Sequence, residues 1–287
     1  MSAPASASTA VIWFNGQLVA ESGASVSPFD HGLLTGDGVF ETLIAYGDTP
    51  FAFTRHYSRL QRSAGVFGLG VPDADVLRQA CCDVIAANDH APARVRITIT
   101  GGEAPLGSEK GDSGETAIVA AGRAPDQPGA SEVVTVPFPR NERGALVGLK
   151  TTSYGENVVA LARAHAAGAR EAIFGNTAGN LCEGTGSNIF IVRDGQLITP
   201  PLSAGCLPGV TRALVIELCG QLGIDLKEID TPLTELQKAD SAFLTSTLRA
   251  VQPIASVDGQ PLPEVQTPVA TSLRKAFFDL TEEKVDP

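Results

Sequence analysis

Long apolar runs are missing from this sequence: no stretch of its 287 residues approaches the roughly 18 apolar residues that a membrane helix requires. Basic residues are scarce as well. Lysine and arginine number 21 against 32 acidic residues, a net charge of -11, so no broad positive field draws in nucleic acid or an anionic membrane. Cysteine is confined to Cys81, Cys82, Cys182, Cys206 and Cys219. An odd number without a C-x-x-C pair or accompanying histidine spacing excludes a disulfide framework and a zinc site, and predicts reduced thiols. The opening MSAPASASTA lacks the basic start and apolar core of a signal peptide. The expectation is a cytoplasmic protein with a disordered tail over residues 1–10.

Familiar catalytic signatures are absent too. There is no G-x-x-x-x-G-K-[ST], no G-x-S-x-G and no H-E-x-x-H. GDG at 36–38 is a fragment of a dinucleotide fingerprint whose surroundings read loop then strand, the wrong order for that motif.

What is present is a mixture of strand and helix patterns. Asn15-Gly16, Asp194-Gly195 and Asp258-Gly259 each stand between apolar runs as two-residue turns, predicting three hairpins. VFETLIAYG, TAIVAAG, EVVTVPF, EAIFGN and SAFLTST read as strands, and the run ending at Lys150 reads as a short apolar strand. In ARVRITIT the alternation puts Val95, Ile97 and Ile99 on one face and Arg94, Arg96, Thr98 and Thr100 on the other. Helices are expected from about Thr54 to Leu69, with a stripe of Phe53, Tyr57, Leu60, Ala64 and Phe67, and from about Asp75 to Asn88. Two more cover ENVVALARAHAAG and VTRALVIELCGQLG. The elements do not alternate with the regular beat of a doubly wound sheet, so the fold class is α+β. Composition shifts at APDQPG, which divides the chain into a smaller domain over 11–123, a linker over 124–130 and a larger domain over 131–287.

Of six lysines, five lie among charged residues or in loops and amphipathic stretches. Lys150 instead closes an apolar run and is followed by Thr151, Thr152 and Ser153. A lysine is ordinarily a solvated surface residue, but an amine at the end of a buried element can attack carbonyls and form an imine, which suits an aldehyde cofactor such as pyridoxal 5'-phosphate. A phosphate cradle is available in LPGVTR, where Gly209, Val210 and Thr211 open an apolar helix and first-turn N–H groups bind anions. LTSTLR offers the hydroxyls of Thr245, Ser246 and Thr247, which could equally cap their own turn. Arg55, Arg59 and Arg62 run along one side of the first helix, and periodicity leaves open which of them, if any, meets a ligand. CEGTGSNIFIV places Glu183 in a glycine-flanked turn before an apolar strand, as a candidate carboxylate for a pyridine nitrogen.

DHGLLTGDGVFET, HYSRL, KTTSY, CEGTGSNIF, LPGVTR and FLTSTLRAVQPI, in this order, resemble the class IV aminotransferases, the fold type IV pyridoxal phosphate enzymes. That family includes branched-chain and D-amino acid aminotransferases, (R)-selective amine transaminases and aminodeoxychorismate lyase. The resemblance spans about residues 11–280. It implies a two-domain, D-amino acid aminotransferase-like architecture and a homodimer. It also implies Lys150 as the Schiff-base lysine, Glu183 as partner of the pyridine nitrogen, Arg59 as the phosphate arginine, Val210 and Thr211 as backbone phosphate donors, and Thr247 as a hydroxyl donor. Tyr154 is similar in placement to a tyrosine that some members turn toward the cofactor, one residue out of register. Where D-amino acid aminotransferases carry a carboxylate-binding arginine this chain has Gly101, and where branched-chain enzymes have an aromatic residue it has Arg94, while Arg96 matches a basic position they share. Arg94 and Arg96 are therefore the expected partners of a substrate carboxylate, unless they pair with acids across the sheet, and Phe40 is the expected apolar wall.

The implied reaction is transfer of an amino group between an amino acid or amine and a keto acid. The rivals are aminodeoxychorismate lyase activity, which uses the same lysine without an acceptor, and a cofactor-binding protein without catalysis, which would not require Glu183.

Overall fold

A computed structural model describes residues 10–127 and 129–287; the expected tail lies outside them except for Ala10. The chain divides into two compact units. One holds the described residues up to Pro125 together with Lys150–Ser153 and Asp286, and the other holds the remainder.

In the first unit, β1 (Val11–Phe14) and β2 (Gln17–Ala20) form the expected hairpin, with Asn15 and Gly16 both at positive φ. A short α1 (His31–Leu34), capped by the Asp30 carboxylate, leads into β3 (Gly38–Ala45). Two helices follow, α2 (Phe53–Phe67) and α3 (Ala74–Asn88), and then β4 (Ala93–Thr100) and β5 (Thr116–Arg123). The strands make one antiparallel sheet in the order β2-β1-β5-β4-β3. Alternation then sorts the side chains. Val39, Leu43, Val95, Ile97, Ile99 and Val119 bury one face beneath Phe53, Leu60, Leu77 and Val84 of the helices, each large apolar side chain contributing about 1.5–3 kcal/mol. Phe40, Arg94 and Arg96 belong to the opposite face.

The buried side of α2 is more polar than its apolar stripe suggests: His56, Arg59 and Ser63 are buried with Phe53, Leu60 and Ala64, while Tyr57 and Phe67 are half-buried. The apolar run before Lys150 is not a strand. Gly144 through Leu149 fold into successive turns, with Val147 N donating to Gly144 O and Leu149 N to Leu146 O, because Gly148 at φ +71° turns the chain out of extended geometry.

The second unit is built on β6 (Ser131–Thr135), α4 (Gly155–Ala166), β7 (Glu171–Gly175), β8 (Leu181–Gly184), β9 (Asn188–Arg193) and β10 (Gln196–Thr199). These continue into α5 (Val210–Leu222), β11 (Leu226–Glu228), β12 (Ser241–Ser246), β13 (Ala250–Val257), β14 (Gln260–Pro261) and α6 (Pro268–Glu283). The sheet runs β11-β10-β9-β12-β13-β6-β7-β8, with β14 paired to β13. Pairing is mixed: β6 lies parallel to both β7 and β13, whereas β12 is antiparallel to both β9 and β13. The α+β class expected from the irregular order of elements is the one observed. Glu183 is not in a turn but is the penultimate residue of β8, opposite Phe174; the turn begins at Thr185. Helix α6 was not anticipated, although Thr267, which caps it through its hydroxyl, and Pro268 at its first turn are a start signal.

Candidate active site

In the first unit the lysine-bearing stretch is fastened along β3. Phe40 N donates to Lys150 O at 3.0 Å, Thr152 N donates to Gly38 O at 2.8 Å, and Thr151 bridges Val39. The hydroxyls beside the lysine thereby gain a structural purpose: Thr152 and Ser153 both donate to Gly36 O, at 3.1 and 3.2 Å. Gly36 sits at φ +71° and a Cβ there would collide with Ser153 Oγ, so the glycine is needed at that turn. Ser63 Oγ of α2 accepts from Lys150 N at 3.1 Å. The lysine's backbone is fixed on two sides.

The lysine side chain reaches Phe40. Lys150 Nζ lies 4.3 Å from the centroid of the Phe40 ring, and the Arg96 guanidinium stacks on the same ring at 3.7 Å, a cation–π arrangement at both contacts. Arg96 Nε also donates to Thr98 Oγ1. The cross-strand neighbours of Arg94 and Arg96 are Ile44 and Gly122, and Thr42 and Ala120; none is acidic, and both arginines are exposed.

Of the three α2 arginines the fold buries Arg59, leaving Arg55 half-buried and Arg62 exposed. Arg59 grips Glu41 with two bonds, Nε to Oε1 and Nη2 to Oε2, both 2.7 Å, and His56 Nδ1 lies 2.8 Å from Glu41 Oε2. Glu41 is fully buried. Burial alone would raise its carboxyl, but the Arg59 guanidinium and then His56 outweigh it and hold the group well below the usual carboxylate range. His56 is held below the ordinary histidine value by burial, aided by the Arg59 and Lys150 cations and opposed by Glu41. Sequence reading missed both residues, although an acid within the inward alternation Val39, Glu41, Leu43 is a detectable signal of a buried ion pair.

A pH dependence follows. The unfolded chain protonates a histidine near pH 6.5, whereas folded His56 resists protonation, so folded stability is lost as pH falls below that value, by up to about 1.4 kcal/mol per pH unit. His56→Gln is expected to lessen the loss of urea-unfolding stability as pH falls below 6.5. Parallel profiles for variant and wild type would refute this.

In the second unit Glu183 accepts from two directions: Arg140 Nε reaches Oε1 at 3.2 Å and Leu207 N reaches Oε2 at 2.9 Å. Arg140, which sequence reading did not single out, lies in a loop without periodicity. Buried Glu171 supports the turn beyond Glu183, accepting from Thr185 N and from the hydroxyls of Thr185 and Ser187. Val210 and Thr211 open α5, and among the described residues no acceptor takes their N–H groups. The preceding Gly209 is required: a Cβ there would collide with Asn188 Oδ1, and Asn188 is itself held by its bond to Leu207 O. Thr247 lies half-buried in the β12–β13 turn. The hydroxyl that caps this turn is that of Ser246, which accepts from Arg249 N. Tyr154, half-buried, occupies the N-cap position of α4.

These residues fit pyridoxal 5'-phosphate by donor type: an amine, N–H donors at a helix start suited to a phosphate, and a shielded carboxylate suited to a pyridinium. Among the described residues no His/Cys/Asp/Glu group could hold a metal ion, and no helix is long and apolar enough to cross a membrane.

Comparison with known proteins shows the family. The family model for class IV aminotransferases matches residues 38–257. The branched-chain-amino-acid aminotransferase of Pseudomonas aeruginosa is 33% identical over 292 residues, covering 96% of this chain and 94% of that one. The crystal structure of a branched-chain aminotransferase from Thermoproteus uzoniensis with norvaline superposes with a TM-score of 0.89 at 32% identity, covering 96% of this chain and 95% of that one. A further branched-chain amino acid aminotransferase, complexed with N-(5'-phosphopyridoxyl)-L-glutamate, gives a TM-score of 0.88 at 28% identity, with 96% and 95% covered.

Proposed function

The chain belongs to the class IV aminotransferases, and on that footing we propose that Lys150 is the amine through which it exchanges amino groups between an amino acid and a keto acid. The observation that carries this is the shared ring: an amine and a guanidinium converge on Phe40 from Lys150 and Arg96. One group is a nucleophile and proton carrier, the other a carboxylate partner.

Bound pyridoxal 5'-phosphate would supply an aldehyde for the amino group and a ring that accepts an electron pair. Arg59, the Val210 and Thr211 N–H groups and the Thr247 hydroxyl would bind the phosphate. Glu183, as an anion, would keep a proton on the ring nitrogen. Lys150 Nζ would move the proton at the substrate carbon. Arg94 and Arg96 would orient the substrate carboxylate against the Phe40 wall, with Tyr154 turned toward the cofactor. We read residues 11–123 and 131–287 as its two domains, joined by 124–130, and the working enzyme as a cytoplasmic homodimer.

The test is to add donors singly to the reconstituted protein without acceptor. A broad panel of amino acids and amines is expected to change the absorbance of the bound cofactor, and a keto acid such as pyruvate to restore it. The lyase alternative is less supported, since the relatives above are aminotransferases. It would be upheld by 4-aminobenzoate and pyruvate forming from aminodeoxychorismate with no acceptor and no donor-driven change. Replacing Arg94 or Arg96 with leucine should raise KM for amino and keto acids by about tenfold and affect small uncharged amines less.

A further inference from the structure

Arg140 combines a ring contact with an ion pair to a shielded carboxylate. Its guanidinium carbon lies 4.1 Å from the centroid of Phe174, a ring that is 1% exposed, so packing limits where the group can sit. Its backbone N donates to Gly175 O at 2.8 Å, which anchors the base of the side chain to the end of β7. From that anchored position Nε addresses Glu183 Oε1, while Nη1 addresses Glu156 Oε2 at 3.0 Å. The two acids differ: the Glu183 side chain is 12% exposed and that of Glu156 is 71% exposed. A surface ion pair is worth little, so the contact with consequence is the shielded one. Leu207 N holds the second oxygen of Glu183, and the carboxylate is thereby fixed in both position and plane.

We infer that Arg140 is a positioning residue that keeps Glu183 an anion of fixed orientation, so that a proton shared with the cofactor's ring nitrogen rests on the nitrogen. This rests on the reading of Glu183 proposed above. A guanidinium beside the carboxylate makes it a weaker base without neutralising it. Lysine cannot reproduce the stacked, planar donor, but it supplies the charge. Methionine removes the charge and keeps much of the bulk.

The experiment reconstitutes wild type, Arg140→Met, Arg140→Lys and Glu156→Gln with pyridoxal phosphate carrying nitrogen-15 in the ring. The ring-nitrogen chemical shift is read, together with the melting temperature of each protein. Wild type and Glu156→Gln are expected to show a pyridinium nitrogen. Arg140→Met should move toward neutral pyridine and Arg140→Lys should return most of the way. The kcat of Arg140→Met should fall about ten- to a hundred-fold, the size expected when a group that orients a functional side chain is lost, with KM changed less than about threefold.

A pyridinium signal retained in Arg140→Met would overturn the inference and leave Arg140 as a tie between its loop and α4. The proposed function would then still stand. Absence of bound cofactor in wild type would overturn that function, and this inference with it. Should Arg140→Met fail to fold, Arg140→Gln, a neutral donor, is read for the same shift: movement toward neutral pyridine supports the inference, and a retained pyridinium overturns it.

Discussion

Lys150→Ala is expected to lower transamination by at least about a thousandfold, combining loss of the covalent partner with loss of a proton carrier that is worth roughly 10²–10⁴ by itself. Borohydride treatment of the wild-type holoprotein should leave the cofactor on the peptide containing Lys150 and on no other. The fold should survive the substitution. What fastens this stretch is its backbone and hydroxyls, through Phe40 N, Gly38 O, Gly36 O and Ser63 Oγ, none of which depends on the lysine side chain. A label on a different lysine, or a variant that keeps its activity, would remove the basis of the proposed function.

Arg59→Ala is expected to have the second largest effect, and on two quantities. Loss of a charged hydrogen bond of about 1.5–3 kcal/mol to the phosphate weakens cofactor retention roughly ten- to a hundred-fold. The same change leaves Glu41, fully buried and ionised, with His56 as its remaining partner, which costs up to about 3–5 kcal/mol of folding stability. Comparing retention of pyridoxal phosphate with that of phosphate-free pyridoxal separates the two, because only the phosphate term distinguishes the ligands. Arg55→Ala and Arg62→Ala, on half-buried and exposed positions, should change neither quantity more than about threefold in affinity or about 0.5 kcal/mol in stability. Equal loss of both ligands in Arg59→Ala would make Arg59 a folding residue only.

The sequence by itself determined the elements whose signals are local. Asn15-Gly16, Asp194-Gly195 and Asp258-Gly259 adopt positive φ in each hairpin, because the two-residue turn requires it wherever it is placed. Alternation in β4 put Arg94 and Arg96 on the face away from the core, because period two is a property of the extended chain alone. Motif order was also enough to name the family.

Tertiary structure decided the pairings that join distant residues. Periodicity could not choose among Arg55, Arg59 and Arg62, and the resemblance singled out Arg59; only the fold shows that Arg59 is the buried one of the three, paired with Glu41, 18 residues earlier and across the β3–α2 packing. Arg140 meets Glu183 at a separation of 43 residues with no pattern in its loop to announce it. The run before Lys150 reads as strand by composition, yet turns at Gly148 and places residues 150–153 with the first unit. A buried charge must find its counter-charge wherever the fold brings one close, and that proximity is set by packing between elements, which no local window of sequence contains.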